Sequence, residues 1–447
     1  MLEELPESLD ETYERVLREI NKANRAHAHR LLQCLTVAIR PLRVAELSEV
    51  LAVDFGTTSS PGISKLKTEW RWEDQEQAVL STCSSLIAVV NENGSEVVQF
   101  SHFSVKEFLT SPRLSTSNSD VSRFLILLEP AHTIMARACL GTLLQVDGIS
   151  DENDIEDRFP LARYAAEHLV THAQFDDGSS HIREGMEILF DPDKPYFSAW
   201  IRIYDIDARN NDTFWLCLYK TADAAPLYYA ALGGFQDLVE HLINKYSQVN
   251  DTGGFYVSPL AAALSVKHFE VAELLYRYGA HVDVKGHDNC TPLYAASYEG
   301  HLEIVQWLLR HGANPNLPDE SDGHVALQEA AALGHLEMAQ ALLQHNADPN
   351  IQDHNGEIPL HWASRFGKTS VARLLLEQGV DVNARSKDGS TPLHLASRGG
   401  RLEVACVLIE HGADIDAEDN KGRTPFQVAS EKEKWDMAEL LSDHSSR

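Results

Sequence analysis

The chain has 447 residues, 43% hydrophobic and 23% charged, with a formal net charge of -29, proportions that fit a globular protein and argue against an intrinsically disordered one. Both halves are acidic, against a dedicated polyanion reader, and the six cysteines stand far apart without a CxxC pair, as reduced thiols do. No basic and apolar leader opens the sequence and no run of about 18 apolar residues occurs; the expected location is cytoplasmic, with the nucleus left open.

The first predicted element is a helix. Ser8, with Glu11 three positions later, makes a capping box before Tyr13, Val16, Leu17 and Ile20, which share one helical face. A second apolar helix covers Leu31, Leu32, Leu35 and Ile39 and stops at Pro41, a short one spans Val44 to Leu51, and after a Gly/Ser/Pro loop another is expected from Glu76 to Leu86. Then the period changes: Leu86 to Val90 and Val97 to Ser101 read as strands flanking Asn93-Gly94, a dipeptide suited to the positive φ angles of a tight hairpin. Helices plus a hairpin predict a winged-helix-like α+β module over 25–115, preceded by the helix within 1–24 and followed by a helical linker domain over 116–224.

From residue 225 the sequence repeats. Anchor tetrads begin at Ala225, Ser258, Thr291, Val325, Ile358, Thr391 and Thr424, in steps of 33, 33, 34, 33, 33 and 33. A unit of this length carrying TPLH-x-A resembles the ankyrin repeat. Seven repeats are expected: 225–257, 258–290, 291–324, 325–357, 358–390, 391–423 and 424–447. The predicted fold class is therefore mainly α, an ankyrin-repeat α-solenoid behind the winged-helix-like module. In each unit the Thr caps an inner helix, Pro takes the first helical position and Leu enters the core. An outer helix then ends at a left-handed residue: Gly279, Gly312, Gly379 and Gly412, with Asn346 replacing glycine in the fourth unit and Tyr246 in the first. The Tyr246 substitution predicts an irregular helix end in the first repeat, where 116–224 would stand in for an N-terminal cap. Glu431 to Lys434 replaces the usual corner and reads as the C-terminal cap.

Three segments carry a further resemblance: LPESLDETYERVL at 5–17, RPLRVAELSEVLAVD at 40–54 and FSHFSVKEFLTS at 100–111. With ARACLGTLL, PLARYAAEHLVTHAQ and FSAWIRIYD further on, they resemble the part of fungal NACHT-ankyrin proteins (STAND NTPases, NLR-like) behind the NTPase core, with its GPI inositol-deacylase-type winged helix. That resemblance implies a signalling role and a protein partner, yet no Walker A loop is present. Gly367-Lys368-Thr369 has Trp362 where the motif needs its first glycine. The sequence holds no G-x-S-x-G nucleophile elbow, and Val44 to Leu51 has no base for a phosphate backbone. The histidines follow the repeat rather than metal-ligand spacing, His361 and His394 lying in TPLH itself. No cofactor, metal, membrane or nucleic acid is expected, and the protein is read as non-enzymatic. Two alternatives stay open, a nucleic-acid-binding winged-helix regulator and part of a nucleotide switch whose NTPase lies elsewhere.

Residues that the fold dictates cannot select a partner. Choice falls to hairpin tips and to the two positions after the small pair of each inner helix. Among these the bases Arg365, Lys368, Arg385, Lys387, Arg398 and Arg401 gather in an acidic chain, and Trp362 and Phe366 lie four apart on one helix face. With Tyr298, His354 and Lys421 they form the predicted protein-binding set, the aromatics and arginines as anchors and the bases favouring an acidic partner. The competing reading makes Trp362 a core-facing residue and the bases a solvated face.

Overall fold

The computed structural model describes residues 9–55, 65–67, 70, 79, 83, 85–92, 94–117, 119–146, 152–175, 180–204, 224–246, 248–286, 290–319 and 322–445. The helix expected from Glu76 to Leu86 and the cap at Ser8 fall largely or wholly outside them. Backbone packing divides the chain into two units, Met1–Asn210 with Gly233–Ser247, and Asn211–Leu232 with Gln248–Arg447.

In the first unit α1 (Leu9–Glu19), α2 (Arg25–Val37) and α3 (Val44–Leu51) lie where the apolar periodicity places them. Ile39 falls beyond α2 and is exposed. The predicted hairpin is β4 (Ile87–Glu92) paired with β5 (Ser95–Phe100) in the register Val89↔Val98, with Gly94 at φ +86°. A strand that the periodicity does not show, β1 (Leu42–Arg43), pairs with β5 to give the order β1-β5-β4. Two residues are too short to display alternation, so only the β5 edge reveals them. Helix α1 packs on α4 (Phe103–Thr110), with Tyr13 Oη 2.6 Å from Ser104 Oγ. Behind them α6 (Leu128–Leu143) packs on α2 and α8 (Ala162–Ala173), burying Leu31, Leu32, Met135 and Leu169.

Also in this unit α12 (Gln236–Tyr246) packs on α9 (Ser180–Leu189). Asp191 accepts from Lys245 Nζ at 3.0 Å and from Tyr246 Oη at 2.8 Å. With Tyr246 where other repeats place glycine, α12 runs 11 residues against nine for α14 (Phe269–Arg277), the irregular end that the sequence predicts.

The second unit stacks ankyrin helix pairs. Its inner helices are α11 (Pro226–Leu232), α13 (Pro259–Ser265), α15 (Pro292–Glu299), α17 (Ala326–Leu333), α19 (Pro359–Phe366), α21 (Pro392–Gly399) and α23 (Pro425–Glu431). The first packs on α13, and from α15 to α23 each packs on the next; Leu260, Leu293, Leu327, Leu360 and Leu393 are buried. The matching Phe426 of α23 is 43% exposed, since no further inner helix among the described residues covers it. Hairpin tips join through the backbone: His354 N–H donates to Asp322 O, Lys387 N–H to Asn355 O and Asn420 N–H to Asp388 O, at 2.8 to 3.0 Å. Asn316 bridges neighbouring repeats with both ends of its amide, donating to Asn346 O and accepting from Asp348 N–H; Asn250 and Asn383 do the same. Asn346 adopts φ +65°, the left-handed cap assigned to it from sequence.

Candidate functional site

The inner helices position the groove face, and in the fourth to sixth repeats their N-termini are held by a buried side chain at the fourth tetrad position. In α19 His361 Nδ1 accepts from Ile358 N–H at 3.2 Å and Nε2 donates to Ser390 O of the next repeat at 3.1 Å. In α17 Gln328 does the same, accepting from Val325 N–H and donating to Glu357 O. Val325 and Ile358 have no side-chain acceptor, so this residue takes over the cap from the threonine of other repeats. Burial lowers the His361 pKa to about 4, which keeps the ring neutral, as both bonds require.

With His361 fixed, the next residue, Trp362, is half-buried rather than core-filling. Its Nε1 donates to Asp353 Oδ2 at 3.0 Å, and Asp353 Oδ1 accepts from Asn355 N–H and Glu357 N–H. The hairpin thus presents a rigid carboxylate that orients the indole. The His324 ring stands edge-on to Trp362 at 4.6 Å, and Phe366 stacks at 6.0 Å, itself 42% exposed. His324 also lies 3.3 Å from Glu329 and 3.7 Å from Asp353. Burial opposes its charge, but the bond to Glu329 and the charges of Glu329, Asp319 and Asp353 leave its pKa raised.

Arg365 lies over the Trp362 ring at 5.1 Å and pairs with the buried carboxylate of Glu357. Burial raises the Glu357 pKa, and the Arg365 charge acts against that rise. The arginine is thereby engaged inside the protein, a role that spacing could not show. Arg401 reaches back from the next repeat, its Nε donating to Arg365 O at 3.4 Å. Trp362, Arg365, Phe366 and Arg401 are therefore one cluster, with half-buried Arg398 on the adjacent α21. Arg398 acts electrostatically on Asp388; burial opposes the Asp388 charge, but bonds from Ser386 and Ser390 and the Arg398 charge bring its pKa down to about 2. Lys387 and His354 are neighbouring tips, Lys387 Nζ donating to His354 O at 2.8 Å, and Lys421 is exposed on the next tip. Tyr298 stands half-buried on α15, two repeats away. The spacing argument did not find Asp353, Glu357 and His324; an acid at the hairpin tip nine residues before a tryptophan was the available signal.

Elsewhere many polar groups are paired within the protein. In the first unit Glu46 accepts from Arg40, Arg43 and Arg43 N–H, and Glu49 accepts from Leu161 N–H at 2.6 Å, so α3 is covered along most of its surface. His132 and His172 meet at 2.8 Å and Tyr164 Oη lies 2.9 Å from His172, whose pKa burial and its histidine neighbours lower to about 3. Burial pushes the Cys34 and Cys83 thiols up to about 12, far from the reactive thiolate range. A cleft of about 510 Å³ is rimmed by Arg40, Arg43, Arg163, Glu92 and Glu156, and Arg43 and Arg163 both pair with Glu156. Among the described residues no group of three or more His, Cys, Asp or Glu is placed to hold a metal ion, and no helix is long and apolar enough to cross a membrane.

Comparison with known proteins agrees with this architecture. The family model for ankyrin repeats, three copies long, matches residues 227–319, 260–353, 293–386, 327–419 and 360–447, and that for the GPI inositol-deacylase winged helix domain matches 14–122. "Azaphilone pigments biosynthesis cluster protein L" of Monascus ruber is 32% identical over 302 residues, which cover 63% of this chain. The match spans 61% of that relative's length. The chain therefore carries a winged helix domain of the GPI inositol-deacylase type followed by ankyrin repeats, the arrangement of the C-terminal portion of NACHT-ankyrin-type proteins.

Proposed function

We propose that this protein is a non-enzymatic recognition component that binds a protein partner on the groove face of its fourth to sixth repeats, through Trp362 and Phe366, with Arg398 and Arg401 favouring an acidic partner. The observation that carries this reading is Trp362. Equivalent positions in the other repeats hold Tyr229, Ala262, Ala295, Glu329, Leu395 and Val428. Tyr229 of the first repeat is buried, whereas Trp362 is half-buried on the groove face, pinned by Asp353 and stacked on an exposed phenylalanine. Rigid aromatics ringed by arginines are the usual anchors of protein interfaces. On this reading the chain is a partner-sensing arm of a NACHT-ankyrin-type signalling protein working in the cytoplasm, with any nucleotide switch supplied by an NTPase module outside the residues considered.

Charge reversal should avoid Arg365, because it would strand the buried Glu357 carboxylate. The test therefore uses Trp362→Ala and Arg398→Glu in the full chain, with cross-linked capture from lysate as the readout. Both variants are expected to lose capture of a defined band while keeping the wild-type melting temperature. Undiminished capture by both would remove this surface from consideration. Thermal stabilisation by ATP would favour the nucleotide-switch alternative, and salt-dependent DNA retardation the nucleic-acid one.

A further inference from the structure

His324 stands immediately before the fourth tetrad, where the other repeats hold Ala224, Val257, Cys290, Glu357, Ser390 and Arg423, so the repeat itself does not call for a histidine there. The preceding hairpin fixes its main chain: His324 N–H donates to Asp319 Oδ1 at 2.7 Å, and its carbonyl accepts from Asp319 N–H at 2.9 Å. Its ring lies between two further carboxylates. Nδ1 is 3.3 Å from Glu329 Oε1 on α17, and Nε2 is 3.7 Å from Asp353 Oδ2 in the next hairpin. The same Glu329 oxygen accepts from Tyr294 Oη on α15 at 3.0 Å, and the same Asp353 oxygen accepts from the Trp362 indole on α19 at 3.0 Å. Tyr294, Glu329, His324, Asp353 and Trp362 thus form one polar chain across the third to fifth repeats. Asp319, Glu329 and Asp353 are buried, and the next acid, Glu357, is already paired with Arg365. The His324 side chain keeps 12% of its surface exposed, enough for its proton to exchange with water.

A neutral imidazole offers one N–H and one lone pair, whereas carboxylates beside both ring nitrogens call for two N–H donors. The geometry therefore fits the imidazolium. When the ring loses a proton, the remaining N–H stays on the nearer, Glu329 side, and the Nε2 lone pair turns toward the oxygen that holds the indole. We infer that His324 is a positioning residue for Trp362 and works as a proton-operated lock: the charged ring fixes Asp353 and the indole in the groove, and the neutral ring releases them. Burial opposes the charge, but Glu329, Asp319 and Asp353 together leave the pKa raised above its ordinary 6.5. The lock is therefore complete below pH 6.5 and is lost as pH rises through the folded value. Its consequence for binding rests on the protein-recognition reading above: the groove should hold a partner more tightly on the acid side of that transition.

The experiment is fluorine NMR of the full chain labelled with 5-fluorotryptophan, titrated from pH 5.5 to 9, with the Trp362 resonance assigned by its loss in Trp362→Phe. In the wild type that resonance is expected to move through one transition with a midpoint above 6.5. His324→Gln should hold it at one position across the range. Glu329→Gln, which keeps an acceptor for Tyr294 but removes the charge, should lower the midpoint toward 6.5. Melting at pH 6 confirms that each variant is folded. A Trp362 resonance that does not titrate, that titrates unchanged in His324→Gln, or whose midpoint ignores Glu329→Gln overturns the lock. Cross-linked capture is compared at pH 6.5 and pH 9, with about threefold less expected at the higher pH in the wild type and no difference in His324→Gln. Capture that needs Trp362 but keeps its pH profile in His324→Gln overturns the lock and leaves protein recognition standing. A titrating resonance beside capture that ignores Trp362→Ala supports the lock and removes the recognition reading.

Discussion

At the residue scale, His361 and Gln328 show two side chains solving one problem. Both sit at the fourth tetrad position, both close the cap of their own helix and both donate to a carbonyl 29 residues on. They differ in titration. The folded pKa of His361, about 4, lies below its ordinary 6.5, so its stabilising contribution is complete above pH 6.5 and is lost as pH falls toward 4. For a ring with no exposed surface the full loss is on the order of 3 kcal/mol. His394 is lowered too, chiefly by burial. We predict that His361→Gln with His394→Gln leaves thermal stability at pH 7.5 within about 1 kcal/mol of wild type and raises it at pH 5, checked by melting across that range. An unchanged acid slope in the double variant would sink the idea. His361 and His394 belong to the repeat, as their place in TPLH implied; the chemistry that lowers their pKa is visible only with their partners in place.

At the element scale, helix termination was the most legible feature. Asn346 was placed in the left-handed cap from its position alone, and the glycine-free end at Tyr246 announced an irregular helix end, which takes the form of a longer helix. Both follow from one rule, that an L-residue with a Cβ is strained at positive φ. The corners add a constraint that no local rule contains. Gly367 has φ +72° and an added Cβ would lie 2.8 Å from Arg401 Cδ, whereas Glu433 occupies the matching corner of the last repeat at φ +56°. Gly367→Ala should cost about 1–2 kcal/mol, and Glu433→Gly should be neutral or stabilising by up to about 1 kcal/mol. Urea denaturation of the two variants checks the contrast, and equal effects would refute it. The short strand β1 and the Trp362–Asp353 bond were not legible, because each depends on which neighbour the folded chain brings alongside.

For the molecule as a whole, stability in the repeat half should be a sum of neighbour contacts, since from α15 to α23 each inner helix packs on the next. Leu327→Ala, at a fully buried position in the fourth repeat, is predicted to cost about 2–5 kcal/mol. Hydrogen exchange should show protection lost mainly in the third to fifth repeats; uniform loss along all seven would contradict the additive picture. The amino-acid sequence by itself determined the repeat period, the inner and outer helices of the repeats, the left-handed residues that end most outer helices, and the hairpin. Those features depend on spacing within about one repeat, where backbone geometry and side-chain size are local properties. Tertiary structure alone decided which charges are available. Arg365 and Lys368 stand three residues apart and look alike in sequence, yet one neutralises a buried glutamate and the other rides on a glycine of the preceding repeat. That difference is set by what lies across the groove, and the energy of a charge depends on its neighbours and its solvent more than on its own identity.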